Sequence, residues 1–291
     1  MATVHPSSEV SPEATLGSDV EIGPGCRVEG RVTLGQGVKL YGNNWLQGPL
    51  DIGANTVLYP FSCVGFEAQH AKFKKGDPTA GVKIGADCIL REHTTVHAAL
   101  DDEHGPTTIG DSVFMMVGSH VGHDVQMGNR CILVNNAAIG GHAIIGEGVN
   151  FGGQSAVHQF TRIGRFSMIS GGVAVSMDIP PFCVAPERNR INGVNLIGLR
   201  RNGFTRRDIE LVRKAFRKAF HVVLQRAEQV EVLEPMAAES PAVAEMLEFV
   251  KSAERPICPG PMRAPRVSAH WFRSVLKGET EFAIEDAEGD S

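Results

Sequence analysis

The chain has 291 residues, 42% of them hydrophobic but only 6% aromatic, so a sizeable core has to be built mainly from Val, Ile and Leu. A net charge of −5 argues against a nucleic-acid surface as the main function. No apolar run approaches the ~20 residues of a membrane span, so no integral membrane segment is expected.

The N-terminus, MATVHPSSEV, lacks a basic region followed by an apolar stretch, so no secretory signal is visible. Six cysteines (Cys26, Cys63, Cys88, Cys131, Cys183, Cys258) are scattered without a CxxC pair. That spacing suits reduced, buried thiols and a cytoplasmic location better than disulfides or a zinc knuckle.

From Val4 the chain repeats every six residues: Val10, Leu16, Ile22, Val28, Leu34, Leu40, Leu46, Ile52, Leu58, Val64. The phase breaks across 65–83, resumes with Ile84, Leu90 and Val96, and breaks again across 97–108. It then runs from Ile109 through Met115, Val121, Met127, Leu133, Ile139, Ile145, Phe151, Val157, Ile163 and Ile169 to Val175. A period of six is neither helical nor a simple strand alternation. It predicts a solenoid of short flat strands and tight turns, with one apolar side chain per strand pointing inward. Small residues, Asn or Gly are expected at the corners, where the backbone needs φ > 0. The two phase breaks predict loops extruded from the coils, which often carry function.

The C-terminal part changes character. GFTRRDIELVRKAFRKAFHVVL (203–224) reads as an amphipathic helix with Thr205 as N-cap, Asp208 completing a capping box and Phe204 stapling onto Ile209. Its apolar face is Ile209, Val212, Phe216, Phe220 and Val223. SPAVAEMLEFVKS (240–252) predicts a second helix with Pro241 at its first position. From about 254 the chain is rich in Pro, Arg and small residues and ends in an acidic EDAEGDS, predicting an extended or partly disordered tail. The expected division is 1–192 for the solenoid, 193–255 for an α-helical C-terminal domain and 256–291 for the tail.

Three six-residue sides make a coil of 18, so residues 18 apart stack. His123, Gly141 and Gln159 form one column, with His120, His142 and His158 beside it and His123 expected to face outward. Three readings of this concentration stay open. The imidazoles could be solvated surface groups; they could bind a metal, for which neutral His is a common ligand; or His123 could take a proton from a hydroxyl, with Asp124 fixing its tautomer and the Gly141 N–H facing an oxyanion.

The six-residue period over 4–180 resembles the left-handed parallel β-helix of the hexapeptide-repeat proteins. With HxxHD at 120–124, NNAAIGGH at 135–142, AVHQF at 156–160 and GVNLIGLRRNGF at 193–204, the chain resembles the UDP-N-acetylglucosamine acyltransferases that begin lipid A synthesis. The resemblance implies a mainly β chain with a small helical C-terminal domain. It implies a homotrimer that moves an acyl or 3-hydroxyacyl chain from acyl carrier protein to the sugar 3-hydroxyl in clefts between subunits, with no metal, no cofactor and no covalent enzyme intermediate. It assigns His123 as general base, Asp124 as its orienting partner and Gly141 as oxyanion donor. His97, His120, His142, His158 and Gln159 would bind substrates. Lys72 in QHAKF matches the family's loop lysine, Asn195 and Arg201 match nucleotide contacts, and Gly171 matches the position that measures the acyl chain.

Three positions depart from the family pattern. His70 stands where an acid contacts the sugar, Asn202 where a second arginine stands, and Ile197 where a glutamate stands. A 3-amino sugar acceptor, giving an amide, is therefore a second reading. A zinc hydratase or lyase and a non-catalytic scaffold are two further ones on the same fold. RRNGFTRR (200–207) with Arg213, Lys214, Arg217 and Lys218 offers a basic patch for an acidic carrier protein, or simply a solvated helix face.

Overall fold

The computed structural model describes residues 1–74, 76–222 and 224–261. The six-residue period becomes a parallel β-helix. Among the described residues, strands of two to four residues stack into three flat faces of eleven, nine and eight strands, visited in rotation until the last strand, Gly193–Val194, turns back antiparallel on Cys183–Ala185. The register is 18 residues along the uninterrupted coils, where His120 pairs with Ala138 and Val121 with Ile139, then Ala138 with Ala156 and Ile139 with Val157, and it shortens to 16 in the last coil, where Met168 pairs with Val184 and Ile169 with Ala185. Every period-six residue from Ile22 to Val175 is buried. The first three, Val4, Val10 and Leu16, are exposed or half-buried at the end of the stack.

Burial also accounts for the thiols. All six cysteines are unpaired, and five are buried, Cys63 being the partly exposed one. Desolvation of the thiolate pushes Cys131 up to about 12 and Cys88 up to about 11.

The corners differ from expectation. Left-handed backbone occurs at Asn43, Asn55 and Asn136, but also at Phe61, His93, His142, Phe160, Phe166 and Phe182. A ring in this conformation costs backbone energy. Stacking against the neighbouring coil offsets that cost: His142 lies on Phe160 at 4.5 Å between centroids and 5° between planes, and Phe61 lies on His93 at 5.1 Å and 7°.

Both phase breaks are loops, 67–81 and 98–106, and both leave the stack at the same corner, between the nine-strand and eight-strand faces. They are tied to each other and to the coil. Thr79 Oγ1 donates to Ala99 O at 2.5 Å, Ala80 N–H to Asp101 O at 2.9 Å and Ala99 N–H to Gly81 O at 3.1 Å.

Past the last coil the described residues form four helices: α1 (Leu196–Arg201), α2 (Arg206–Phe220), α3 (Arg226–Ala237) and α4 (Pro241–Lys251). α2 has the expected capping box between Thr205 and Asp208, and Ile209, Val212, Phe216 and Phe220 are buried. Val223 lies outside the described residues. Phe204 meets Phe166 and Phe182 at the end of the solenoid, at 5.7 and 5.6 Å between centroids. α1 and α3 are additions to the two-helix reading. α4 is docked by two arginines. Arg165 pairs with Glu245 at 2.5 Å, and Arg162 donates to Ser252 O at 2.8 Å while stacking on Phe249 at 4.5 Å. The chain then returns in extended form. Cys258 N–H donates to Asp178 O at 2.8 Å and Ile191 N–H to Pro259 O at 3.0 Å. The rest of the expected tail, 262–291, lies outside the described residues.

Phe151 is a fully buried ring in mid-stack. Phe151→Ala should cost about 3–5 kcal/mol in urea unfolding while strand content persists. A loss below about 1 kcal/mol would mean that the interior closes over the hole.

Candidate active site

The corner between the nine-strand and eight-strand faces builds the site. His123 lies two residues past the inward-pointing Val121, in the turn that follows the strand His120–Val121, and Asp124 continues that turn in left-handed backbone with φ 60°. That conformation is set by Thr107, whose Oγ1 accepts the Asp124 N–H at 2.7 Å. The Asp124 carboxylate accepts the Leu100 N–H from the second loop, at 3.2 Å to each oxygen. Asp124 Oδ2 then accepts His123 Nδ1–H at 2.6 Å. This bond assigns the neutral ring's proton to Nδ1 and leaves Nε2 bare.

His123 is only 7% exposed. The ring is covered rather than solvated, which speaks against the first of the three readings, and His70 of the first loop is among the groups that cover it. His70 of the first loop meets it edge-on at 5.7 Å between centroids, and His142 meets it at 5.0 Å.

One coil on, Gly141 lies in the expected column. A Cβ there would come within 2.7 Å of His123 Nε2 and 2.8 Å of Cε1, so only glycine leaves the ring in place. The turn leaves the N–H of this column position without an acceptor among the described residues, at His123, Gly141 and Gln159 alike. At Gly141 no side chain shields it. His142 N–H donates to His123 O at 2.9 Å, locking the two coils together. Burial holds the His142 imidazole below its usual pKa, with His123 and His70 adding to the shift and Asp124 opposing it.

His97 and His120 form a second pair on the nine-strand face, 5.4 Å apart. His97 Nδ1 is 2.6 Å from Glu67 O, and His120 Nδ1 is 2.8 Å from Thr95 Oγ1. Burial, with His97 and His123 nearby, pushes His120 down to about 4, so it is neutral at pH 7.

The remaining candidates lie outside this cluster. Lys72 is exposed on the first loop, and its N–H donates to His70 Nδ1 at 3.3 Å. His158 and Gln159 are exposed one coil further on, with His158 Nδ1 3.1 Å from Gln159 O. Gly171 is exposed at a different corner, stacked on Gly153. Asn195 caps α1: its Oδ1 accepts the Gly198 N–H and its Nδ2 donates to Phe166 O, each at 2.9 Å. Arg201 is exposed at the end of α1. No hydrogen bond or ring contact joins Asn195 or Arg201 to the His123 cluster within the described residues.

Phe160, Thr107 and the Leu100 N–H are parts of the site that motif reading missed. Phe160 was within reach of repeat arithmetic, being 18 residues from His142. The clamp on Asp124 comes from a loop without period and left no sequence signal. One ligand atom each from His123, Asp124 and His142 lies within 4.8 Å of the others, so these three could together hold a metal ion.

Residues 178–258 match the family model described as "Udp N-acetylglucosamine O-acyltransferase; Domain 2". The acyl-[acyl-carrier-protein]–UDP-N-acetylglucosamine O-acyltransferase of Thermodesulfovibrio yellowstonii is 38% identical over 259 residues, 89% of this chain and 100% of that protein. The enzyme of the same name from Halorhodospira halophila is 33% identical over 88% of this chain and 98% of its own. The crystal structure of UDP-N-acetylglucosamine O-acyltransferase from Moraxella catarrhalis superposes with a TM-score of 0.84 at 29% identity, covering 88% of this chain and 99% of that one. With 38% identity to a relative over 89% of this chain and all of that protein, the chain belongs to the acyl-[acyl-carrier-protein]–UDP-N-acetylglucosamine O-acyltransferase family.

Proposed function

We propose that this chain transfers an acyl or 3-hydroxyacyl group from acyl carrier protein to the 3-hydroxyl of UDP-N-acetylglucosamine, the first step of lipid A synthesis, with His123 as general base. The observation that carries the mechanism is the buried His123–Asp124 pair lying over the unshielded Gly141 N–H. His123 Nε2 takes the hydroxyl proton as the oxygen attacks the thioester carbon. Asp124 stabilises the imidazolium through Nδ1–H. The Gly141 N–H faces the developing oxyanion. As the C–S bond breaks, the imidazolium returns its proton to the leaving thiolate, so protons balance without a metal or a covalent enzyme intermediate.

His70, Lys72, His97, His120, His142, His158 and Gln159 are assigned to substrate binding. Asn195 and Arg201 lie away from their own chain's cluster, which supports a homotrimer in which they serve a neighbour's site. The exposed Arg207, Arg213, Lys214, Arg217 and Lys218 on α2 suit an acidic carrier protein. Among the described residues no helix is long and apolar enough to cross a membrane. Six unpaired thiols favour a cytoplasmic location. The names of the relatives speak for the ester, not for the amide.

Purified protein given 3-hydroxyacyl carrier protein should acylate UDP-N-acetylglucosamine, with the ester detected by mass. His123→Ala should lower turnover by about 10²–10⁴-fold with the fold retained. Unchanged turnover removes the general-base assignment, and an amide formed only on the 3-amino analogue removes the acceptor assignment. Gly141→Ala drives a methyl group into the His123 ring and should cost about tenfold or more in kcat, against little change in unfolding midpoint. Gly171→Met fills the space at the far corner and should shift preference toward shorter acyl chains, read from a mixed set of carriers. An unchanged product distribution would remove Gly171 from chain measurement.

A further inference from the structure

We propose that His123, Asp124 and His142 form a binding site for a divalent transition-metal ion of the zinc class, and that its occupancy silences the site rather than serving the reaction. Asp124 Oδ2 is the shared vertex, 2.6 Å from His123 Nδ1 and 3.6 Å from His142 Nε2. Two imidazole nitrogens and one carboxylate oxygen are a set that zinc and cobalt take with a fourth position open to solvent.

The backbone that carries the donors is held before any ion arrives, and only the 2.6 Å contact between His123 Nδ1 and Asp124 Oδ2 has to open for an ion to enter. His123 and His142 sit on adjacent coils joined by a backbone hydrogen bond of 2.9 Å. The Asp124 carboxylate is gripped by the Leu100 N–H. Phe160 backs the His142 ring in a parallel stack. Such outer contacts fix ligand orientation and raise affinity. Entry is from the His142 side, whose side chain is 32% exposed against 9% for the other two.

The chemical consequence rests on the general-base reading. Coordination through Nδ1 breaks the hydrogen bond to Asp124 and moves the ring proton to Nε2 by way of solvent, with no net proton released. The nitrogen that should accept the hydroxyl proton is then already protonated, and Asp124 is engaged by the ion. A metal here therefore traps the inactive tautomer.

The test uses the full chain freed of metal by a chelator and titrated with Co(II), reading visible ligand-field absorption. The expected result is a band that saturates at one equivalent per chain and is displaced by Zn(II). In Asp124→Asn and His142→Gln, affinity should fall by about tenfold or more. The wild-type titration stands without them should either variant fail to fold. In parallel, Zn(II) should inhibit acyl transfer and a chelator restore it. No saturable band in the wild type, a band unchanged in both folded variants, or a thiolate-to-cobalt charge-transfer band overturns the site. Zinc that binds yet leaves or raises turnover overturns the silencing role. A chain that binds one cobalt with the expected variant pattern but never acylates supports the site, and it is the acyltransferase reading that fails.

Discussion

The parallel hydrogen-bond ladder between coils is the constraint on which everything else in the molecule rests. Bonds such as Gly122 N–H to Ile139 O and Gly140 N–H to Val157 O, both 2.8 Å, fix the advance of the chain at one strand spacing per coil. Residues 18 apart must then touch. That rule lines the interior with Leu133, Ile139, Ile145 and Phe151, and it sets His123 above Gly141. The demand for glycine at 141 follows from the coil spacing, which sets the His123 ring where a Cβ at 141 would stand.

The electrostatics follow from the same crowding. A surface imidazole would exchange tautomers and turn freely. Under the two loops, His123 is held by a carboxylate that is itself held by the Leu100 N–H and by backbone fixed through Thr107. Close histidines disfavour one another's protonation, which with burial is why His120 stays neutral across the physiological range.

Much of this is legible in the order of the residues alone. The six-residue period marks the solenoid, its three faces, its two interruptions and the His123–Gly141 column. The capping box of α2 and the proline that opens α4 are local signals that tertiary packing did not override. The missed elements share a physical cause. α1 is six residues long and its cap is an Asn in a segment without period. α3 has almost no segregation of apolar from polar faces and carries Pro235 inside it, so neither periodicity nor propensity announces it. The clamp on Asp124 is a backbone N–H, a group every residue but proline possesses, and composition cannot reveal which one will be used. The covering of His123 was missed for a related reason: a period gives the direction of a side chain but not what a loop later lays over it.

The two loops leave the same corner and are stitched to each other, and this divides the labour of the site. The His123–Asp124 pair, the general base of the proposed function and its partner, sits in a turn tied to the next coil by the His142 N–H to His123 O bond, where a change of register would disturb both coils. His70 and Lys72 belong to an excursion whose length and composition the ladder does not dictate, since the chain leaves Phe66 and rejoins at Val82 in register with the coil below. On the proposed assignment of His70 and Lys72 to substrate binding, what is recognised can be revised within one short segment while the strand ladder is kept, since the length of that segment is free of the 18-residue rule.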